Sequence, residues 1–586
     1  MSVLRAKILA AFLSLALAVS AAQTGATRPG GDVARRWLAS LTPAERAAQL
    51  VMVPFYGDAP NPKSSEYQAL AALVRDLRVG GLIVLNRVRE GVVERADPYQ
   101  MAAFLNRMQR LARIPLIVGG DFERGASMRM TSTTPFPHAM AYAAAGEVDA
   151  VRRLGRTTAR EARAMGVHWV FAPVADVNNN PDNPIINIRS FGEDPASVAR
   201  FVRAFIEGAH SDPASRVLVT VKHFPGHGDT VTDSHLGLGT VEAERARLDA
   251  VELVPFRAAI GAGVDAIMTA HLAVPALEPE RIPATVSRHI MTGLLRDELG
   301  FRGLLTTDAM DMQGLTQMFP PGEAAVRALE AGNDLLLIPQ DPRAAVRAIL
   351  EAVRTGRLTQ ERIDRSVLRL LQAKVRLGLH RQRRVRIEEI SNTLLDPDDL
   401  ADAARTAERA LTLVKNEGGI FPLKDPQKSC WFLLSGSRFS TQGMELRAAL
   451  RARGVGSIAL LDPGLPESEF NAQAERAAAC AVPVVAAWVT ASAYRGTVDL
   501  TGNYPAFVRK ILTSGRPAVF IAFGNPYLLR TYPDAAAYLA AFSTARPSEQ
   551  AAVRAVFGEI PVTGRLPVSI PGLAPVGFGI MIEKPE

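Results

Sequence analysis

The chain has 586 residues, of which 48% are apolar, 22% charged and 6% aromatic, a balance that excludes disordered, collagen-like and many-span membrane proteins. At roughly 100 to 250 residues per domain, this length gives two to four domains, with room for large buried cores. Lys and Arg number 67 against 59 Asp and Glu, but the arginines are interleaved with Glu and Ala in helix-like stretches, the pattern of a solvated surface rather than a nucleic-acid face.

At the N-terminus, Arg5 and Lys7 precede an apolar run from Ile8 to Val19, and Ser20, Ala21 and Ala22 follow it. This reads as a secretory signal over residues 1–22, cut near Ala21 or Ala22. The run is short of the ~20 residues a spanning helix needs, so the expectation is an exported chain, periplasmic or secreted, without stable membrane insertion. Two cysteines, Cys430 and Cys480, make either one disulfide or two buried thiols.

From residue 30 to 380, short apolar runs alternate with amphipathic stretches rich in Ala, Leu and Arg. The runs are Leu50 to Phe55, Gly81 to Leu85, Leu116 to Gly119, His168 to Ala172, Val217 to Val221, Ala266 to Thr269, Gly303 to Thr306 and Asp334 to Ile338. Eight βα units close a (β/α)8 barrel of the TIM type, whose site lies at the C-terminal ends of the strands. Polar groups fall there: Asn86, Asp121 and Glu123, Asp176, Lys222 and His223, His271, Thr307 and Asp308. Helical text from Pro342 to Leu379 finishes the barrel. Residues 381–399 read as a linker that opens on the basic cluster Arg381 to Arg386, with no nucleic-acid-binding signature beside it. Residues 400–586 begin with a helix from Leu400 to Leu411. Apolar strands follow at Ala410 to Lys415, Trp431 to Ser435, Ser457 to Leu461, Val482 to Thr490 and Ala518 to Phe523, which predicts an α/β/α sandwich domain.

The fifth run leads into Lys222-His223-Phe224-Pro225-Gly226-His227-Gly228-Asp229-Thr230, then Asp233-Ser234-His235. Pro225, Gly226 and Gly228 rule out a continuing helix or strand, so this is a long loop over the barrel mouth. His223, His227, Asp229, Asp233 and His235 are all possible metal ligands, but a His-x-x-x-His pair needs a helix, and Pro225 and Gly226 forbid it. No metal or other cofactor is expected. Sugar binding and proton transfer remain.

Here the residues reach a resemblance. Lys222 to Thr230 with Asp233-Ser234-His235 is similar to the loop signature of family 3 glycoside hydrolases, in the bacterial β-N-acetylglucosaminidase branch. Asn187-Ile188-Arg189-Ser190-Phe191-Gly192-Glu193-Asp194-Pro195, Thr307-Asp308-Ala309-Met310-Asp311-Met312 and Gly564-Arg565-Leu566-Pro567-Val568-Ser569-Ile570-Pro571 resemble the same family, so the likeness covers the mature chain. The resemblance implies that Asp308 is the nucleophile, with Asp311 its rival, and that His235 is the acid/base, held and charged by Asp233. It places Asp121, Arg189, Lys222 and His223 around the sugar hydroxyls. Where much of the branch has Asp-Gln-Glu-Gly-Gly, this chain reads Asp121-Phe122-Glu123-Arg124-Gly125, which leaves the aglycone open between muropeptide fragments and chitin-type oligosaccharides.

The expected function is release of terminal β-linked N-acetylglucosamine from such a carbohydrate substrate, through a covalent glycosyl-aspartate. A histidine, unlike a carboxylate, does not repel an incoming phosphate, so phosphorolysis on the same site is the alternative reaction; export away from cellular phosphate favours hydrolysis. A non-catalytic cell-wall sugar-binding protein is the alternative of another class. The intact Asp308, Asp233 and His235 argue against it.

Overall fold

Strands rich in Val, Ile and Leu cannot leave either face wet, and in a closed parallel sheet neither face is. The computed structural model describes residues 29–584; the segment read as a secretory signal lies outside them. Its first sheet has eight parallel strands: β1 (Val51–Phe55), β2 (Gly81–Val84), β3 (Ile117–Gly120), β4 (Trp169–Val170), β5 (Leu218–Phe224), β6 (Ala266–Thr269), β7 (Leu304–Thr306) and β8 (Leu336–Leu337). They pair in sequence order, β8 adds to β1, and a parallel bridge from Thr306 to Leu335 brings the last strand back to β7. This is the expected (β/α)8 barrel.

Alternation along each strand makes two cores. Met52, Ile83, Ile117, Trp169, Leu218, Met268, Leu304 and Leu337 point inward and pack together, with Leu370 and Leu377 from the last barrel helix and its end. Val53, Val84, Val118, Val170, Val219, Ile267, Leu305 and Leu336 join the core shared with the surrounding helices. The helices start where the chain supplies caps: Asp97, Asp194 and Asp341 each accept backbone N–H groups ahead of a proline at the first helical position.

One strand departs from expectation in a way that matters. The fifth run was expected to end at Val221, yet β5 continues through Lys222 and His223 to Phe224. Phe224 is buried edge-on against Phe256, and its carbonyl accepts from Ala270 N–H at 2.8 Å. That apolar anchor holds the extension, with a slip in register against β6 between Val221 and Phe224. Lys222 and His223 are therefore held by the sheet, and the free loop starts after Phe224.

The second domain is an α/β sandwich around a six-stranded sheet: β9 (Thr412–Asn416), β10 (Cys430–Leu434), β11 (Ser457–Leu461), β12 (Pro483–Val489), β13 (Val519–Gly524) and β14 (Ala537–Ala540), ordered β9-β14-β13-β12-β10-β11. Only β9 runs antiparallel. Strand β14, Ala-Tyr-Leu-Ala, was not anticipated, because alanine flanks argue for helix and only its place between β9 and β13 makes it a strand. The opening helix begins at Pro397, capped by Asp396, rather than at Leu400. The segment 381–399 packs back on the barrel: Asn106 exchanges two hydrogen bonds with the Val385 backbone, and Arg383 donates to the Ala112 carbonyl at 2.9 Å.

The two domains share a core. Met140, Ala141 and Ile188 of the barrel pack with Leu566, Val568 and the sheet residues Phe520 and Tyr538. Cys430 at the start of β10 and Cys480 before β12 form a disulfide across 50 residues. A cross-link of that span is worth about 2–4 kcal/mol, so Cys430→Ser with Cys480→Ser is expected to lower the unfolding free energy by about that amount in urea titrations followed by tryptophan fluorescence.

Candidate active site

A buried charge survives only beside a partner, and the barrel mouth holds a network of such partners. Lys222, 3% exposed, reaches Asp121 Oδ1 and Glu123 Oε1, both at 2.8 Å. Arg189 forks onto Glu123 through Nε at 2.9 Å and Nη2 at 2.8 Å, and Arg129 takes the other Asp121 oxygen at 2.8 Å. Burial alone would push both carboxyls up. The Lys222 and Arg129 charges instead hold Asp121 at about 2, and Arg189 and Lys222 hold Glu123 well below the usual range. Burial likewise pulls Lys222 down, but the two carboxylates outweigh it and raise its ammonium. All four residues expected around the sugar, Asp121, Arg189, Lys222 and His223, are gathered here. Lys222 is the counter-ion of Asp121 and Glu123.

The imidazoles hang on Asp176, which is fully buried. It accepts His223 Nδ1 at 2.7 Å, His223 N–H at 3.2 Å and His227 N–H at 2.7 Å. With Nδ1 engaged, His223 turns Nε2 towards Arg189 Nη2, 3.3 Å away. His227 is sealed between Ser234 and Thr230 hydroxyls, and burial and His223 press its imidazole down to about 4, so it stays neutral. His271 bridges the Thr285 hydroxyl and the Ala309 carbonyl. Asn86 and Thr307 serve the backbone, bonding the Arg129 carbonyl and Leu337 N–H. Among the described residues no group of three or more His, Cys, Asp or Glu is arranged to hold a metal ion.

The segment after β5 folds down as a flap. Gly228 crosses so close to the barrel that an added Cβ would stand 1.7 Å from the Val177 carbonyl oxygen. Past it, Ser234 accepts Gly314 N–H at 3.2 Å, tying the flap to the loop that carries Asp308. Asp233 holds its neighbour twice, accepting His235 N–H at 2.9 Å and Nδ1 at 2.7 Å. Burial would raise Asp308, but His223, His271 and His235, with the Ala309 N–H, outweigh it and hold the carboxyl below the ordinary range. Asp311, three residues on, goes the other way, raised by partial burial and by the Asp308 charge.

Three site groups escaped sequence reasoning as partners. Glu123 and Asp176 stood among the polar strand-end residues, but nothing local tells that one bridges Arg189 and Lys222 or that the other carries His223. Tyr494, from the second domain, donates its N–H to Asp233 Oδ2 at 3.0 Å; no signal in a single sequence pairs it with the flap.

An eight-stranded barrel with carboxylates and imidazoles at its strand ends, packed on an α/β sandwich, has the kinds of anionic and proton-donating groups that glycoside cleavage uses. The family models agree: Glycosyl hydrolase family 3 N terminal domain matches residues 42–373 and its C-terminal domain matches residues 411–575. The chain belongs to glycosyl hydrolase family 3. It is similar to a β-N-acetylglucosaminidase/β-glucosidase of Cellulomonas fimi, 31% identical over 91% of this chain and 95% of that one. It is also similar to β-hexosaminidase A of Pseudoalteromonas piscicida, 29% identical over 90% and 97%. Among solved structures, a family 3 β-N-acetylglucosaminidase from Paenibacillus sp. str. FPU-7 superposes with a TM-score of 0.78 at 32% identity, covering 91% of this chain and 99% of that chain.

Removing one member of a buried charge network strands the others, at a cost of about 3–5 kcal/mol. Glu123→Gln is therefore expected to lower stability by about 3 kcal/mol in urea unfolding, since it leaves Lys222 and Arg189 short of a counter-charge.

Proposed function

We propose that the chain is an exported, retaining β-N-acetylglucosaminidase acting on peptidoglycan fragments or chitin-type oligosaccharides, with Asp308 as nucleophile and His235, oriented by Asp233, as acid/base. The observation that carries this reading is the His235–Asp233 pair, held by the flap within electrostatic reach of an ionised Asp308. The sugar rests on the activities named for the Cellulomonas and Paenibacillus relatives. Export is supported by the sequence of residues 1–22 and by the Cys430–Cys480 disulfide, a bond that persists in oxidising compartments. No helix among the described residues is long and apolar enough to cross a membrane.

The chemistry follows from charge and geometry. An ionised carboxylate attacks the anomeric carbon as the bond to the leaving oxygen breaks, giving a glycosyl-Asp308 ester. With Nδ1 committed to Asp233, the His235 imidazole has Nε2 to give its proton to that oxygen. It then takes a proton from the water that attacks the same carbon, and the ester bond breaks to restore Asp308. Asp311, pushed towards its protonated form, is the poorer nucleophile. Asp121, Arg189, Lys222 and His223 hold the sugar hydroxyls by charge-assisted hydrogen bonds.

General acid help is worth about 10²–10⁴ in rate. His235→Ala is expected to lose that much on a poor leaving group such as a second sugar and far less on an activated aryl glycoside; equal losses on both would remove His235 from the role. Asp308→Asn is expected to abolish turnover on both. Free N-acetylglucosamine is the expected product with or without inorganic phosphate, and a sugar 1-phosphate would overturn hydrolysis.

The pH profile carries a further sign. A nucleophile must be ionised, so activity falls as pH drops through its pKa. His223 is foremost among the groups that hold Asp308 down against burial; His223→Gln is therefore expected to move the acid limb of kcat/KM to higher pH.

A further inference from the structure

The flap that carries His235 is anchored on two sides. Its barrel side is held by Ser234 and Asp233, both nearly fully buried. Its other side meets the loop that follows β12 in the second domain. There Tyr494, held at a φ of 65°, points its N–H at Asp233 Oδ2 at 3.0 Å, the oxygen that His235 leaves free. The Tyr494 ring stands edge-on to the His235 imidazole, with centroids 5.0 Å apart and planes at 62°. Two residues on, Gly496 backs onto Leu236 so closely that an added Cβ would lie 3.2 Å from Leu236 Cδ1. The contact is thus a seat with three points: amide to carboxylate, ring to ring, and backbone to leucine.

Physically, each point removes one freedom. A carboxylate with one oxygen taken by a fixed amide cannot rotate that oxygen onto the imidazole, so Oδ1 stays on Nδ1 and the tautomer is settled. An aromatic edge contact limits the tilt of the ring. The part left unrestrained is Nε2, the atom that must meet the leaving oxygen.

We propose that Tyr494 is a positioning residue for the acid/base pair, so that the second domain sets the aim of a histidine carried by the first. This rests on His235 being the acid/base. Because Tyr494 is 56% exposed, its side chain contributes little core, and its removal is not expected to unfold either domain.

The test is a double-mutant cycle on the intact protein, using a disaccharide and an activated aryl N-acetylglucosaminide. Misalignment of a reacting group by a fraction of an ångström costs about tenfold or more. Tyr494→Ala is expected to lower kcat on the disaccharide about tenfold, with KM and the melting temperature little changed and the aryl substrate little affected. Tyr494→Phe, which retains the ring, recovers most of the loss. Tyr494→Gly, which keeps the donor N–H and accepts the φ of 65° without strain, is expected to lose as much as Tyr494→Ala. In a His235→Ala background, Tyr494→Ala is expected to add no further loss.

Equal losses on both substrates, or a full additional loss without His235, would overturn the proposal. A rise in KM at unchanged kcat would also overturn it, because Tyr494 would then be a surface for the aglycone. If His235→Ala itself shows no dependence on the leaving group, the acid/base reading falls and this inference falls with it. If His235→Ala behaves as expected and Tyr494→Ala does not, only the inference on Tyr494 is lost.

Discussion

The site hangs on one buried carboxylate, Asp176. It has no access to water, and burial would drive it towards protonation. His223, beside it and bonded through Nδ1, and the N–H of His227 keep it ionised instead. The three hydrogen bonds it accepts join the irregular end of β5 to the first turn of the flap. Without them the flap has no defined origin, and the residues further along it have no defined position. Asp176 is sealed from solvent, yet it sets the direction in which both His223 and the chain towards His235 set out.

From that origin two sets of groups divide the labour. Asp121, Glu123, Lys222 and Arg189 form a stiff, fully paired floor whose charges are all committed before any sugar arrives. Such a floor keeps its charges in place without help from a ligand, which is the physical meaning of a preorganised site. The flap is the softer part. Pro225, Gly226 and Gly228 let it turn, and its position is supplied from outside by Gly314 and by the second domain. On the proposed mechanism, proton transfer would thus depend on contacts made between separate elements, and sugar binding on contacts made within the barrel.

Much of this was legible in the sequence, for a physical reason. Parallel barrels impose apolar runs followed by polar strand ends, so the eight strands and the placing of Asp121, Lys222, His223 and Asp308 at the mouth follow from periodicity alone. The pairing of Asp233 with His235 is local, two residues apart, and equally readable. The linkage of Glu123 to Arg189 spans 66 residues, and that of Asp233 to Tyr494 spans 261; neither leaves a local trace. The extension of β5 was hidden by the polar Lys222 and His223, which close the apolar run at Val221 although the strand continues to Phe224, immediately before Pro225. Strand β14 was hidden by alanines whose helical preference is overruled by the neighbours on both sides.

The motif around Arg189 and the one near the C-terminus turn out to be two halves of a clasp. Glu193 donates its N–H to the Pro567 carbonyl and accepts both the N–H and hydroxyl of Ser569, while Ile188 packs with Leu566 and Val568. The loop that presents Arg189 is therefore braced by residues about 376 positions further along the chain. Because translation runs from the barrel towards the second domain, the barrel segment emerges with this brace still to be made, and the loop is locked only once Pro567 and Ser569 have followed.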